Sequence, residues 1–178
     1  TGEDTFPTRR SSDLAFQENT YVLWDDQRQG LIIDPGCYTY EERQELKKFL
    51  DDSQIQLQAI LNTHAHIDHV LGVAYLQEQY GLPLYLHPQE EVIFQDVAAR
   101  AAFYGFEHYQ HGKIDHYLSD QQCLEFGGLK LKTLLVPGHA PGHVAFYLEH
   151  EATLFSGDVL FRRSVGRTDF PHCHHPDL

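Results

Sequence analysis

Short apolar runs separated by polar loops open the interpretable part of the chain and predict strands. Tyr21-Val22-Leu23-Trp24 and Gly30-Leu31-Ile32-Ile33-Asp34 are β-rich and joined by Asp25-Asp26-Gln27-Arg28-Gln29, the pattern of a hairpin with a polar loop. From Glu41 to Asp52 the period changes: charges alternate while Leu46, Phe49 and Leu50 share one face, which predicts an amphipathic surface helix with acids first. Gln58-Ala59-Ile60-Leu61 is a short buried strand; Val70, Leu71, Val73, Ala74 and Leu76 then recur at helical spacing, predicting a helix that starts near Asp68. Gly81-Leu82-Pro83 breaks the chain and Leu84-Tyr85-Leu86 resumes as a strand. Strand, turn, helix, strand is the alternation of an α/β layer.

The second half is richer in strands. A helical stretch around Val92, Ile93, Val97 and Ala98 gives way to Phe103, Tyr104, Phe106 and Tyr109, mixed with His108, His111 and His116, which read as solvated histidines. The aromatic residues either line a groove or close the core over the helix. Gln122–Phe126 and Leu129–Leu134 flank Gly127-Gly128 at the spacing of a two-residue hairpin, and Val144–Leu148 and Thr153–Ser156 are further strands. Leu160-Phe161 reads as buried, and Arg162, Arg163 and Arg167 form a basic concentration beside it. No internal repeat or interdomain linker stands out.

With 178 residues, 42% of them hydrophobic, the chain suits one well-cored domain. Lys and Arg number 13 against 26 Asp and Glu, so the formal charge is −13, which repels phosphate backbones and argues against a nucleic-acid binder. Cys37, Cys123 and Cys173 are dispersed, without a close-spaced pair, and fit a reducing compartment better than a disulfide framework. No apolar run has the length of a membrane span, so the expectation is a cytoplasmic protein without membrane contact. Residues 1–14 are polar, lack hydrophobic period and are set apart as a non-native or disordered leader to a domain over 15–178.

The candidate chemistry is concentrated in Thr63-His64-Ala65-His66-Ile67-Asp68-His69, where three imidazoles and a carboxylate fall within seven residues. Imidazole and carboxylate without thiolate suit zinc, manganese or iron better than calcium or magnesium. His64 and His66 stand two apart at a strand end and point the same way, while Asp68 and His69 sit at a helix start. Further along, Gly138 allows a sharp turn that frees His139 from a strand end, and Asp158 follows the strand ending at Ser156. His143, at the opening of a strand, reads as a structural hydrogen-bonding residue. Asp34, in Asp34-Pro35-Gly36, is either a brace near the cleft or ordinary turn chemistry.

T-H-A-H-I-D-H resembles the H-x-H-x-D-H signature of the metallo-β-lactamase superfamily, and Pro137-Gly138-His139-Ala140-Pro141-Gly142-His143 and Ser156-Gly157-Asp158 resemble its next two motifs in the right order. Phe16-Gln17-Glu18-Asn19-Thr20-Tyr21, Asp34-Pro35-Gly36 and Gly166-Arg167-Thr168-Asp169 look most like the small hydrolases related to glyoxalase II, hydroxyacylglutathione hydrolase. The resemblance implies an α/β fold, a four-layer αββα sandwich with the metal cleft at one edge of two sheets. It implies two divalent metal ions, zinc before iron or manganese: His64, His66 and His139 on the first, Asp68, His69 and a bridging Asp158 on the second. Arg167 would meet an anionic group of a small acyl-thioester substrate, and Asp68 would also orient the attacking water.

The implied activity is thioester hydrolysis by metal-activated hydroxide. The alternatives are an iron-dependent persulfide dioxygenase on the same fold, and a non-catalytic metal-binding module or inert fragment. The family's later Gly-His-Gly stretch, which supplies one more ligand, has no counterpart before Leu178, so the resemblance also implies a domain incomplete at its C-terminal end.

Overall fold

The computed structural model describes residues 18–169 and 172–178; the expected leader, 1–14, lies outside the described residues. Strands β1 (Tyr21–Trp24) and β2 (Gln29–Ile33) pair antiparallel with Tyr21 opposite Ile33 and Trp24 opposite Gly30. Asp25 closes their loop, its Oδ1 accepting from the backbone N–H groups of Gln27 and Gln29 at 2.9 Å each. Helix α1 (Tyr40–Ser53) begins at a capping box in which Thr39 and Glu42 satisfy each other's backbone donors, and it carries Glu41 and Glu42 in its first turn.

Strand β3 (Gln56–Leu61) lies parallel to β2, and β4 (Leu84–Leu86) and β5 (His116–Tyr117) continue the sheet in the order β1-β2-β3-β4-β5. Its central strands are apolar on both faces because both faces are covered. Ile32 and Ile60 pack with Leu50, Leu76, Leu84 and Phe94 on the helical side. Leu31, Ile33, Ala59 and Leu61 pack on the other side against Leu131, Val144, Phe146 and Phe155. The single helix predicted after Asp68 is divided into α2 (Ile67–Val70) and α3 (Val73–Tyr80). The division falls at Gly72, whose N–H donates to Pro35 O at 2.8 Å instead of to a helical carbonyl. Helix α4 (Glu91–Arg100) follows a one-turn 3-10 helix, Pro88–Glu90.

The second sheet is a simple antiparallel meander of β6 (Cys123–Phe126), β7 (Leu129–Leu135), β8 (Val144–Leu148) and β9 (Thr153–Phe155). Leu129 and Leu131 point into the core between the sheets while Lys130 is exposed, as expected of a sheet covered on one side. Helix, sheet, sheet is therefore the layering among the described residues. No α-helix follows α4 there, and none of the helices is long and apolar enough to cross a membrane.

Two local expectations are corrected. Leu160 and Phe161 are exposed, at 55% and 44%: they form strand β10 (Leu160–Phe161), paired only with β11 (Ser164–Val165), and a hairpin of two-residue strands has no face large enough to bury them. His111 is half-buried, its ring 4.4 Å from that of Phe94 and its Nδ1 3.2 Å from the Tyr109 hydroxyl, because Phe94 and Tyr109 belong to the helix-side core. His108 and His116 are exposed.

Candidate metal centre

β3 runs into Asn62-Thr63-His64-Ala65-His66 and the chain passes straight into α2, so His64, His66, Asp68 and His69 all leave one strand-to-helix turn. Asp34, only 1% exposed and held at φ 49°, ties that turn to the end of β2. Its Oδ1 accepts from the Thr63 N–H at 2.7 Å, its Oδ2 accepts from the Thr63 hydroxyl at 2.7 Å, and His69 Nδ1 lies 3.1 Å from Oδ2. Of the two roles open to Asp34 from sequence, it is the brace. Asn62 Nδ2 donates to His69 O at 2.7 Å and secures the other end of the turn.

The remaining two side chains come from the second sheet. His139 lies between β7 and β8, where Gly138 takes φ 127°, a conformation that side-chain-bearing residues rarely adopt. The Arg167 carbonyl can only accept, so His139 Nδ1 carries the proton of their 2.7 Å contact and Nε2 is left facing His66 Nδ1 at 2.9 Å. Asp158 is delivered after β9 by Gly157, at φ 49°; a Cβ on Gly157 would come within 2.5 Å of Thr63 Oγ1 and 2.7 Å of His143 Nε2. His143 accepts from the Asp158 N–H through Nε2 at 3.2 Å and stacks on His64 with ring centroids 4.7 Å apart, the structural role expected of it.

Two overlapping donor sets result: His64, His66 and His139, and His64, His69 and Asp158, each with ligating atoms within 4.8 Å of one another. Asp68 borders the second set, its Oδ2 3.8 Å from His69 Nε2. Asp158 faces both sets, with Oδ1 3.5 Å from His69 Nε2 and Oδ2 3.7 Å from His139 Nε2. Arg167 reaches the rim of the same cleft, where its Nε and Nη2 donate to Asp169 at 2.7 Å each.

The electrostatics follow from burial and from what each group faces. Burial, then the neighbouring imidazoles, holds His64 well below the usual histidine range and His66 down to about 3. Burial also depresses His139. Burial would depress His69 as well, but Asp68, Asp34 and Asp158 together outweigh it and push it well above its ordinary value. Burial raises Asp68, whereas for Asp158 the opposing pull of His69 and its neighbours wins and lowers it to about 2.

Glu90 was not singled out from sequence. It is fully buried, and its two oxygens accept from different loops: Oε2 from the Ala65 N–H at 2.9 Å and Oε1 from the Gly142 N–H at 2.7 Å. It thereby joins the loop carrying His64 and His66 to the loop carrying His139. An acid just before a helix looks like ordinary N-terminal charge, so no local signal distinguishes it.

The Metallo-beta-lactamase superfamily model matches residues 14–178. The chain belongs to this superfamily. Among curated relatives it is similar to the hydroxyacylglutathione hydrolase GloC of Haemophilus influenzae, 34% identical over 165 residues that cover 88% of this chain and 73% of that protein. Among solved structures it is similar to the B3 metallo-β-lactamase BLEG-1, with a TM-score of 0.82 and 36% identity over 92% of this chain and 78% of the other. TTHA1623 in a di-iron-bound form gives a TM-score of 0.81 and 34% identity over 97% and 81%. The metallo-β-lactamase fold binds two metal ions, and the residues here fit such a group. His64 Nε2 and His69 Nε2 are buried without a hydrogen-bond partner among the described residues, a costly arrangement that cations relieve.

Proposed function

We propose that this metallo-hydrolase acts on thioesters in the manner of glyoxalase II. His64, His66 and His139 would hold one divalent cation, and Asp68, His69 and Asp158 would hold the other. The observation that carries this reading is the placement of Asp158, whose two oxygens face different donor sets. Similarity to a hydroxyacylglutathione hydrolase adds support. Two bound cations supply a water whose pKa falls to about 7 and a Lewis acid for the carbonyl oxygen. Zinc is the expected ion, with iron a real competitor given the di-iron state of TTHA1623.

The chain's own residues do the positioning. Asp34 orients His69 from behind, the Arg167 carbonyl keeps the proton of His139 on Nδ1, and Thr63 Oγ1 contacts His64 Nδ1 at 3.0 Å, so the opposite ring nitrogens of His64, His69 and His139 remain directed at the centre. Asp68 orients the attacking water from the cleft wall. A thioester suits the site because its leaving thiol, with a pKa of about 8.5, departs as thiolate without a proton donor. Arg167, which lines the same cleft, meets an anionic group of the carrier. The strongly acidic composition accords with a small-molecule substrate rather than a nucleic acid, and the dispersed cysteines accord with a cytoplasmic location.

The test is Asp68→Ala beside the parent protein, each loaded with zinc, iron or manganese, assayed for thiol release from a thioester panel and for oxygen uptake with a persulfide. Hydrolysis should fall by at least about a hundredfold, since loss of a ligand costs no less than loss of a residue supporting one. Oxygen uptake that survives Asp68→Ala, with no thiol release by the parent, would replace hydrolysis with persulfide dioxygenation. Bound metal with neither activity would leave a metal-binding module.

A further inference from the structure

Beside the ligand cluster lies a cleft of about 320 Å³, within the size range of small-molecule sites. One face of α4 lines this cleft together with His139, Asp158 and Arg167. Ile93, Asp96, Val97 and Arg100 are spaced by three and four residues and so share that face, and Tyr104 follows beyond the helix end. Ile67, next to the ligand His66, continues the apolar surface to the metal centre. Arg100 and Asp96 pair with each other at 2.6 Å, so this face presents no net charge beside its apolar residues. What α4 offers a substrate is therefore apolar contact that begins at the reacting centre.

We infer that the α4 face with Ile67 is the acyl subsite, and that the enzyme selects thioesters whose acyl group is an apolar chain of several carbons over those with small or charged acyl groups. The inference rests on the thioester reading above for its chemistry and on this cleft for its selectivity. The carbonyl sits at the ligand cluster, the acyl chain lies along Ile67, Ile93 and Val97, and the carrier thiol leaves toward Arg167. Val97 is 6% exposed and part of the helix-side core, so the subsite floor is preformed. Tyr104, 46% exposed, also lines the cleft and can cover a longer chain.

The experiment uses the hydrolysis product, which needs no turnover. The zinc-loaded chain is titrated with acetate, butyrate, hexanoate and octanoate, and with n-alkyl thiols of matching length. Carboxylate affinity should rise up to about fourfold per added methylene while the chain remains in the groove. Ile93→Ser should reduce the octanoate-to-acetate affinity ratio about tenfold, and Ile93→Trp should cap the rise at a shorter chain; both sit at a half-buried position where the fold tolerates change better than at Val97. Equal affinity across the carboxylates, or a rise confined to the thiols, would overturn the assignment. A rising carboxylate series without turnover of any thioester would leave the subsite standing and remove the thioester reading instead.

Discussion

Replacing Glu90 tests whether one carboxylate holds the two halves of the metal centre in register. The residue is 0% exposed and is bonded to Ala65, between His64 and His66, and to Gly142, three residues beyond His139. Hydrogen bonds to a charged group contribute about 1.5–3 kcal/mol each, so the pair is worth at most about 3–6 kcal/mol. Burial offsets part of this: it pushes the Glu90 carboxyl above its ordinary range against the opposing pull of the two N–H donors. Glu90→Gln keeps one acceptor and turns an amide N–H toward a backbone donor, so a loss of about 2 kcal/mol or more is expected, together with a shift of the two loops. The assay is thermal melting of the metal-free protein, then zinc affinity by chelator competition and the visible spectrum of the cobalt form. Affinity should fall about 10–100-fold, as for residues that orient ligands, with an altered cobalt spectrum. A lower melting temperature with unchanged affinity and spectrum would refute the reasoning and make Glu90 an ordinary core contact.

Two other substitutions probe different parts of the site. Arg167→Ala should raise KM for an anionic thioester with kcat nearly unchanged, because the guanidinium exchanges Asp169 for substrate in ground and transition state alike; equal KM values for parent and variant would remove Arg167 from substrate contact. Glu18 is 5% exposed, and burial, aided by Asp34 and Asp68 and opposed by His69 and Thr20, pushes its carboxyl to about 9. The unfolded chain ionises it above its ordinary value of 4.5 while the folded chain keeps it neutral, so this group makes the fold lose stability as pH rises from about 4.5 to about 9. In metal-free protein, Glu18→Gln should therefore match the parent near pH 4 and melt at higher temperature near pH 8; parallel melting curves across that window would contradict it.

How much was legible in advance depended on the distance over which each feature is decided. His64, His66, Asp68 and His69 lie within one turn, so strand and helix periodicity alone place them together, and the first hairpin followed from its polar loop in the same way. Recognising His139 and Asp158 required the motif resemblance, because they come from the other sheet and meet the first four only when the two sheets pack around Leu31, Ile33, Leu131 and Phe146. The brace by Glu90 joins residues 25 and 52 positions away, and nothing near Glu90 in sequence marks it apart from any acid at a helix start. Leu160 and Phe161 are apolar enough for a core, yet their two-residue strands reach no covered face. The division of α2 from α3 arises from Pro35, a residue far outside the helix whose carbonyl takes the Gly72 N–H. Local spacing determines which side chains leave a turn together because backbone geometry repeats over a few residues; burial and bonding partners are set by surfaces that touch only after the chain has folded back on itself.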